Sequence, residues 1–352
     1  MKIISNIFSV FSRDVTLFCT NLAAGILVAR ILGPESLGIW VALSLIPALC
    51  EGFGRIKVDR AAVFFLGKKK ESEQTILYTI NIISLITCSL ILFVPVFFIS
   101  EISTLIFSNQ NIGGNEYIIG IFCLFPLQFF YLNYTYFHLG LNNIKIFNMM
   151  VLICALTNSL FVILFLIFFK IGIWSLIYGS LFSNFSALSY GIYKVDRTRW
   201  TKVNYSFDFF SKILKYGFSF YLIGLLSDLK EQGSKLISIL FLKSSEMAFL
   251  GQGLNICKLL DRFNSSINSI LYTQISGSDE KNAINVSGVS FRITSILVLL
   301  IAVILYLTIE YLIVFVYGYE YLETASVVKI IIPAYSFYSV STTLNSYFNG
   351  TG

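Results

Sequence analysis

From residue 14 onward this chain is a succession of apolar runs, each about 20 residues long and so long enough to cross a hydrocarbon core of about 30 Å as a helix. In lipid every backbone amide must be satisfied within the spanning structure, which leaves α-helices or a closed barrel. The runs show no period-two alternation, so barrel strands are excluded and an all-α polytopic membrane protein is expected. A soluble globule is excluded too. With 56% of the 352 residues apolar and 12% charged, there is too little polar surface to coat one.

Hydropathy predicts ten transmembrane helices, at 14–32, 37–65, 76–99, 117–138, 147–169, 172–193, 213–242, 247–272, 288–309 and 326–348. With the N-terminus in the cytoplasm, the inner segments hold Lys2, Arg13, Lys68, Lys69, Lys70, Lys145, Lys194, Arg197, Arg199, Lys202, Lys212 and Lys281, whereas the outer ones hold only Lys170 and Lys243. That asymmetry predicts an inside N-terminus. Lys2 and the apolar residues after it are followed by no small-residue cleavage site, so the first helix is expected to stay. Cys19, Cys50, Cys88, Cys123, Cys154 and Cys257 all fall inside apolar stretches and read as small hydrophobes. The single histidine, His138, has no sequence neighbour that would make it a metal ligand or base. No metal, cofactor or nucleic-acid partner is expected, and no P-loop pattern is present to couple ATP.

At an offset of 210 residues the sequence resembles itself: Glu51 falls on Asp261, Gly67 on Gly277, Phe107 on Tyr317, Gly140 on Gly350, and helices 1–4 on helices 7–10. Both copies start in the same direction, so the repeat is parallel. It predicts a six-helix lobe at 1–193, a cytoplasmic amphipathic linker at 194–212 carrying Phe207 and Phe210, and a second lobe at 213–352 of which only the first four helices are present. By this arithmetic the chain is either part of a longer protein or a shortened relative.

Ionisable groups inside spans are costly and usually face a protein or water-filled interior. Helix 8 carries Lys258, Asp261 and Arg262, the last roughly 15 Å deep. Helix 2 carries Glu51 at the symmetric depth, followed by Arg55, Lys57, Asp59 and Arg60, while helix 7 carries Asp228, Glu231 and Lys235 and helix 1 opens with Arg13 and Asp14. Internal pairing of Glu51 with Arg55 and of Glu231 with Lys235, both at i, i+4, is one reading. The other is a hydrated, cation-lined cavity suited to an anion, with guanidinium forks matching phosphate oxygens. Trp40, Tyr134, Tyr136, Tyr221 and Tyr335 could stack on sugar rings or serve as packing and interface anchors.

The run LVARILGPESLGIW (Leu27 to Trp40), the glycine and three lysines at Gly67–Lys70, VYGYEYLETA (Val316 to Ala325) and the closing Asn349–Gly352 resemble bacterial polysaccharide flippases of the Wzx type, in the multidrug/oligosaccharidyl-lipid/polysaccharide (MOP) superfamily. The resemblance covers the whole chain and implies a two-lobe bundle like that of the MATE transporters. It also implies an activity: movement of an undecaprenyl-diphosphate-linked oligosaccharide, an O-antigen or capsule repeat unit, across the bacterial inner membrane by alternating access, with polysaccharide polymerase machinery as a partner. Related lipid II flippases have an Asp-Arg pair on helix 8, matched here by Asp261-Arg262, and basic residues on helices 1 and 2, approximately Arg13 and Arg55. Substrate contacts are therefore expected at Arg262, Arg55, Arg13, Lys258 and Lys235, and ion coupling at Glu51, Asp261, Asp228 and Glu231. Where many relatives have an acid entering the apolar run of helix 7, this chain has Ser234, so that role does not carry over. The competing readings are a MATE-like drug or cation exporter and, from another class, an O-antigen polymerase or glycosyltransferase. The exporter would prefer a less basic cavity, and the enzyme would need a longer outer loop than 100–116 or 310–325, neither of which contains Lys, Arg or His.

Overall fold

The computed structural model describes residues 2–69, 71–107, 114–195, 206–276 and 280–351, without the side chains of 2–11, 105, 261–276, 280–283, 285–286 and 343–351. The described residues are helical almost throughout. In chain order they form α1 (Lys2–Leu43), α2 (Leu45–Gly54), α3 (Val58–Lys68), α4 (Glu73–Phe107), α5 (Asn115–Phe122), α6 (Phe125–Gly140), α7 (Ile144–Leu164) with a π-helical turn (Phe165–Phe169), α8 (Trp174–Tyr193), α9 (Phe207–Ser238), α10 (Ser244–Ser276), α11 (Glu280–Val316) and α12 (Glu323–Thr351). Among the described residues six stretches are long and apolar enough to cross a membrane: Ser12–Gly54, Glu73–Thr104, Asn115–Gly140, Ile144–Phe169, Phe207–Ser238 and Ser287–Val316. α8, α10 and α12 have the length to span but are more polar, α8 through its serines and α10 through Glu246, Lys258, Asp261 and Arg262.

Several boundaries differ from hydropathy. The expected break at 33–36 is a kink within α1, where Gly33 takes φ 72° and Pro34 follows. Only glycine enters that region cheaply, and proline has no N–H to continue the ladder, which gives the GP of the first motif its physical role. The expected continuous helix 37–65 is divided into the end of α1, α2 and α3. α9 begins at Phe207 rather than 213 because the Ser206 side chain accepts the Phe209 N–H at 3.3 Å and Asp208 sits in the first turn. The remainder of the expected linker, 196–205, lies outside the described residues. Helix ends generally run past the apolar stretch, since backbone hydrogen bonding continues after the side chains turn polar.

The chain forms two compact units, 1–244 and 245–352. In the first, α9 packs against α2 and α3. Two apolar clusters lie at opposite ends of this unit: one holds Ile46, Cys88, Phe125 and Phe129, the other Val58, Leu66, Ile80, Ile83, Tyr131 and Phe209. Along α4, α6 and the α2–α3 pair the clusters change over at 84–87, 129–131 and 51–55. Between them Glu51 and Arg55 from α2 and its end form a polar layer that the aromatic stretch Phe129–Tyr131 of α6 borders. Large side chains such as Phe97 and Phe168 are exposed, as expected where lipid is the solvent.

In the second unit α11 and α12 form a hairpin. Gly318, at φ 102°, and a 3₁₀ turn (Tyr319–Tyr321) reverse the chain, and Tyr321 is buried edge-on against Phe249. This is the VYGYEYLETA motif, whose glycine is demanded by the left-handed turn. Lys329 pairs with Glu310 across the hairpin and lies over the Tyr306 ring.

Candidate functional site

The polar layer of the first unit is organised by a break in the second membrane crossing. Ile56 and Lys57 both adopt φ 49°, left-handed for residues that carry a Cβ. α3 has 11 residues between this break and its lysine end, so the break lies about 16 Å along the helix from those lysines. Non-helical backbone inside a membrane protein is tolerated where protein covers it or it lines a cavity.

The Arg55 side chain is 7% exposed. Its Nη1 lies 3.3 Å from Glu51 Oε1 and its Nη2 3.8 Å from Asp59 Oδ2, and the guanidinium stands over the Tyr136 ring at 5.7 Å. Gln128 Nε2 donates to Glu51 Oε2 at 3.1 Å. One guanidinium thus faces two carboxylates from its own crossing. Among the described residues Asp59, 5% exposed, has no hydrogen-bond partner for Oδ1, and Arg55 none for Nη2. Beside this cluster Asn133 Nδ2 donates to Ser84 Oγ at 2.8 Å and to the Ile80 carbonyl at 3.2 Å, tying α6 to α4.

α9 covers the break. Lys57 Nζ meets Asp228 Oδ2 at 3.2 Å, and the Tyr221 hydroxyl donates to the Phe53 carbonyl at 3.1 Å, an acceptor that the helix break leaves available. Close approach depends on glycines: a Cβ on Gly217 would lie 2.6 Å from the Ile56 carbonyl oxygen, and one on Gly224 would collide with the Lys57 chain. Gly217→Val is therefore expected to push α9 off the break and cost about 1–3 kcal/mol. The check is thermal unfolding in detergent, with Gly233→Ala, which meets nothing within 4 Å, as the neutral control.

Of the residues expected from sequence, the structure brings Glu51 and Arg55 together and sets Asp228 beside them through Lys57. Arg13 makes its contacts elsewhere: Nη1 donates to Asn148 Oδ1 on α7 at 2.8 Å, Nη2 pairs with Asp14 at 2.7 Å, and the group lies over Phe147. Glu231 and Lys235 lie further along α9, Glu231 exposed and Lys235 half-buried, and Lys258 belongs to the second unit. The side chains of Asp261 and Arg262 lie outside the described residues. Tyr136 and Tyr221, candidates for sugar stacking, hold Arg55 and the break; Tyr134 is buried. His138 is buried with Nε2 3.0 Å from the Gly191 carbonyl. The sequence reading passed over Asp59 and Gln128 as site residues. Asp59 was legible in the i, i+4, i+8 spacing of Glu51, Arg55 and Asp59, but the partner of Lys57 was not, because the break turns it off the helical face.

The family model described as polysaccharide biosynthesis protein matches residues 27–326. No curated protein matches the chain in sequence. Among solved structures, the chain resembles the lipid II flippase MurJ in an inward closed conformation, at 17% identity and TM-score 0.76, over 99% of this chain and 76% of that one. It likewise resembles an inward-facing multidrug resistance MATE family transporter of the MOP superfamily, at 17% identity and TM-score 0.73, over 95% of this chain and 81% of that one. A MOP superfamily transporter from Pyrococcus furiosus Vc1, described as having a binding pocket of reverse polarity, matches at 17% identity and TM-score 0.63, over 98% and 80%. At such identities the likeness concerns the fold, which is MOP/MATE-like.

Proposed function

This chain belongs to the polysaccharide biosynthesis protein family, and from that premise we propose that it carries an undecaprenyl-diphosphate-linked oligosaccharide from the cytoplasmic to the outer leaflet of the bacterial inner membrane. It is a multi-pass membrane protein of the MOP fold. The observation that supports the reading best is the break between α2 and α3: the buried Arg55 and Asp59 and a stretch of non-helical backbone are held together in the interior of the first unit, an expensive arrangement in a membrane protein that a mere anchor would not keep. The task explains the expense. Each sugar hydroxyl costs several kcal/mol to strip of hydrogen bonds, and a bare diphosphate far more, so unaided flipping is negligible. A polar interior replaces water around the head group while the polyprenyl tail stays in lipid. Alternating access, with lobes at 1–193 and 213–352 rocking about the 194–212 linker, would open that interior to one side at a time.

In this reading Arg262, Lys258, Lys235 and Arg13 contact the diphosphate or line its path, Arg55 fixes the electrostatics of the layer, and Glu51, Asp261, Asp228 and Glu231 are candidates for ion coupling. The N-terminus is cytoplasmic, and the product passes to polysaccharide polymerase machinery. A second reading is export of a cationic compound, for which the carboxylates around the break, Glu51, Asp59 and Asp228, would serve, although the three cations Arg55, Lys57 and Arg60 balance them. Proteoliposomes separate the two. A flippase moves fluorescent undecaprenyl-diphosphate-linked glycan to the far leaflet and leaves ethidium gradients unchanged; an exporter does the opposite. In cells, the natural gene is expected to restore surface glycan to a flippase-deficient strain, and intact protein without surface glycan would remove the flippase reading.

A further inference from the structure

We propose, resting on the diphosphate reading above, that the Lys57–Asp228 ion pair is an exchangeable latch: Asp228 holds Lys57 until a diphosphate oxygen takes its place and frees α9 from the broken crossing. The two cations at the break differ in a way that matters. Arg55 is sequestered, 7% exposed, with both carboxylates on its own crossing. Among the described residues Lys57 reaches to another element through a 3.2 Å contact, and its partner Asp228 is 36% exposed, so solvent or a ligand can approach that pair.

The chemistry of exchange is simple. An ammonium is a point charge with three donors and no required plane, so it donates to a phosphate oxygen as readily as to a carboxylate oxygen. A diphosphate brings more charge and more acceptor oxygens than one carboxylate, and it gains further where water is scarce. The mechanics also fit. Around Lys57, α9 touches the break through Gly217 and Gly224, which offer no side chain to interlock, and through the neutral Tyr221 hydroxyl bond to the Phe53 carbonyl, while toward the lysine end of α3 Tyr216 and Phe209 pack on Phe64 and Phe65 and act as the pivot. The ion pair is a charged fastening at the free side of this seam. Beneath it, two consecutive non-glycine residues sit in the left-handed region, a backbone that holds its shape only while its surroundings dictate it. Releasing Asp228 thus loosens α9 and the break together, at the moment the head group binds.

The test is binding of undecaprenyl diphosphate to the whole protein in nanodiscs, with undecaprenol and inorganic pyrophosphate as further probes. Asp228→Asn removes the competitor and is expected to bind undecaprenyl diphosphate about fivefold tighter than the parent. Lys57→Gln removes the ligand and is expected to bind about tenfold weaker. Both substitutions abolish the same ion pair, so a purely structural contact would move binding in the same direction, whereas exchange, which sets Asp228 against the phosphate for Lys57, moves it in opposite directions. Exchange is told from the change of one nearby charge when the Asp228→Asn gain is lost in the Lys57→Gln background. Pyrophosphate should compete and undecaprenol should not, which assigns the contact to the phosphates. Should Lys57→Gln fail to fold, tighter binding by Asp228→Asn still carries the inference. Weakened or unchanged binding by Asp228→Asn overturns the latch alone and leaves the diphosphate reading standing. A parent protein that binds undecaprenyl diphosphate no better than undecaprenol overturns that reading and the latch with it.

Discussion

Replacing Arg55 with alanine is expected to destabilise the first unit by about 3–5 kcal/mol, the cost of leaving buried charge without its partner. Asp59 is 5% exposed and already has one carboxylate oxygen without a hydrogen bond, while Glu51 keeps only the Gln128 amide once the guanidinium is gone. The loss should be far smaller if the carboxylates are neutralised with it. The triple variant Arg55→Met, Glu51→Gln, Asp59→Asn is expected to recover most of the stability, because an ion cluster replaced by neutral groups of similar volume no longer carries a desolvation cost. Unfolding temperatures in one detergent measure both. An Arg55→Ala protein that melts with the parent would mean that water enters the layer and screens the charges.

The largest expected effect on transport lies in the second unit. Arg262→Ala is expected to lower glycan export about a hundredfold or more, since a guanidinium fork on a diphosphate makes two charge-assisted bonds of about 1.5–3 kcal/mol each. Arg262→Lys should recover only part, because an ammonium cannot supply the paired donors. Surface glycan is measured beside the amount of tagged protein in the membrane. Full export by an Arg262→Ala protein present at normal levels would remove the residue from the substrate path.

The break at Ile56–Lys57 and the kink at Gly33–Pro34 show where local sequence suffices and where it does not. Gly33–Pro34 could be read directly, because a residue without Cβ followed by one without N–H has few helical options. Ile56–Lys57 could not. Isoleucine and lysine are ordinary helix residues, and local preference alone would carry the crossing from 37 to 65 without interruption. The interruption persists because α9 meets it with Gly217, Tyr221, Gly224 and Asp228, residues 161 to 172 positions further along the chain than Ile56. Apolar length and charge spacing along single helices determined the membrane class and most helix locations, and offered the Glu51–Arg55 pairing as one of two readings, since all are decided within about one or two turns of backbone. Tertiary structure alone decided that the second crossing is broken, that α9 covers the break, and that Lys57 answers to Asp228. A left-handed pair of non-glycine residues is unfavourable by itself and becomes the stable state only when a neighbouring helix supplies partners for the backbone and charge it exposes.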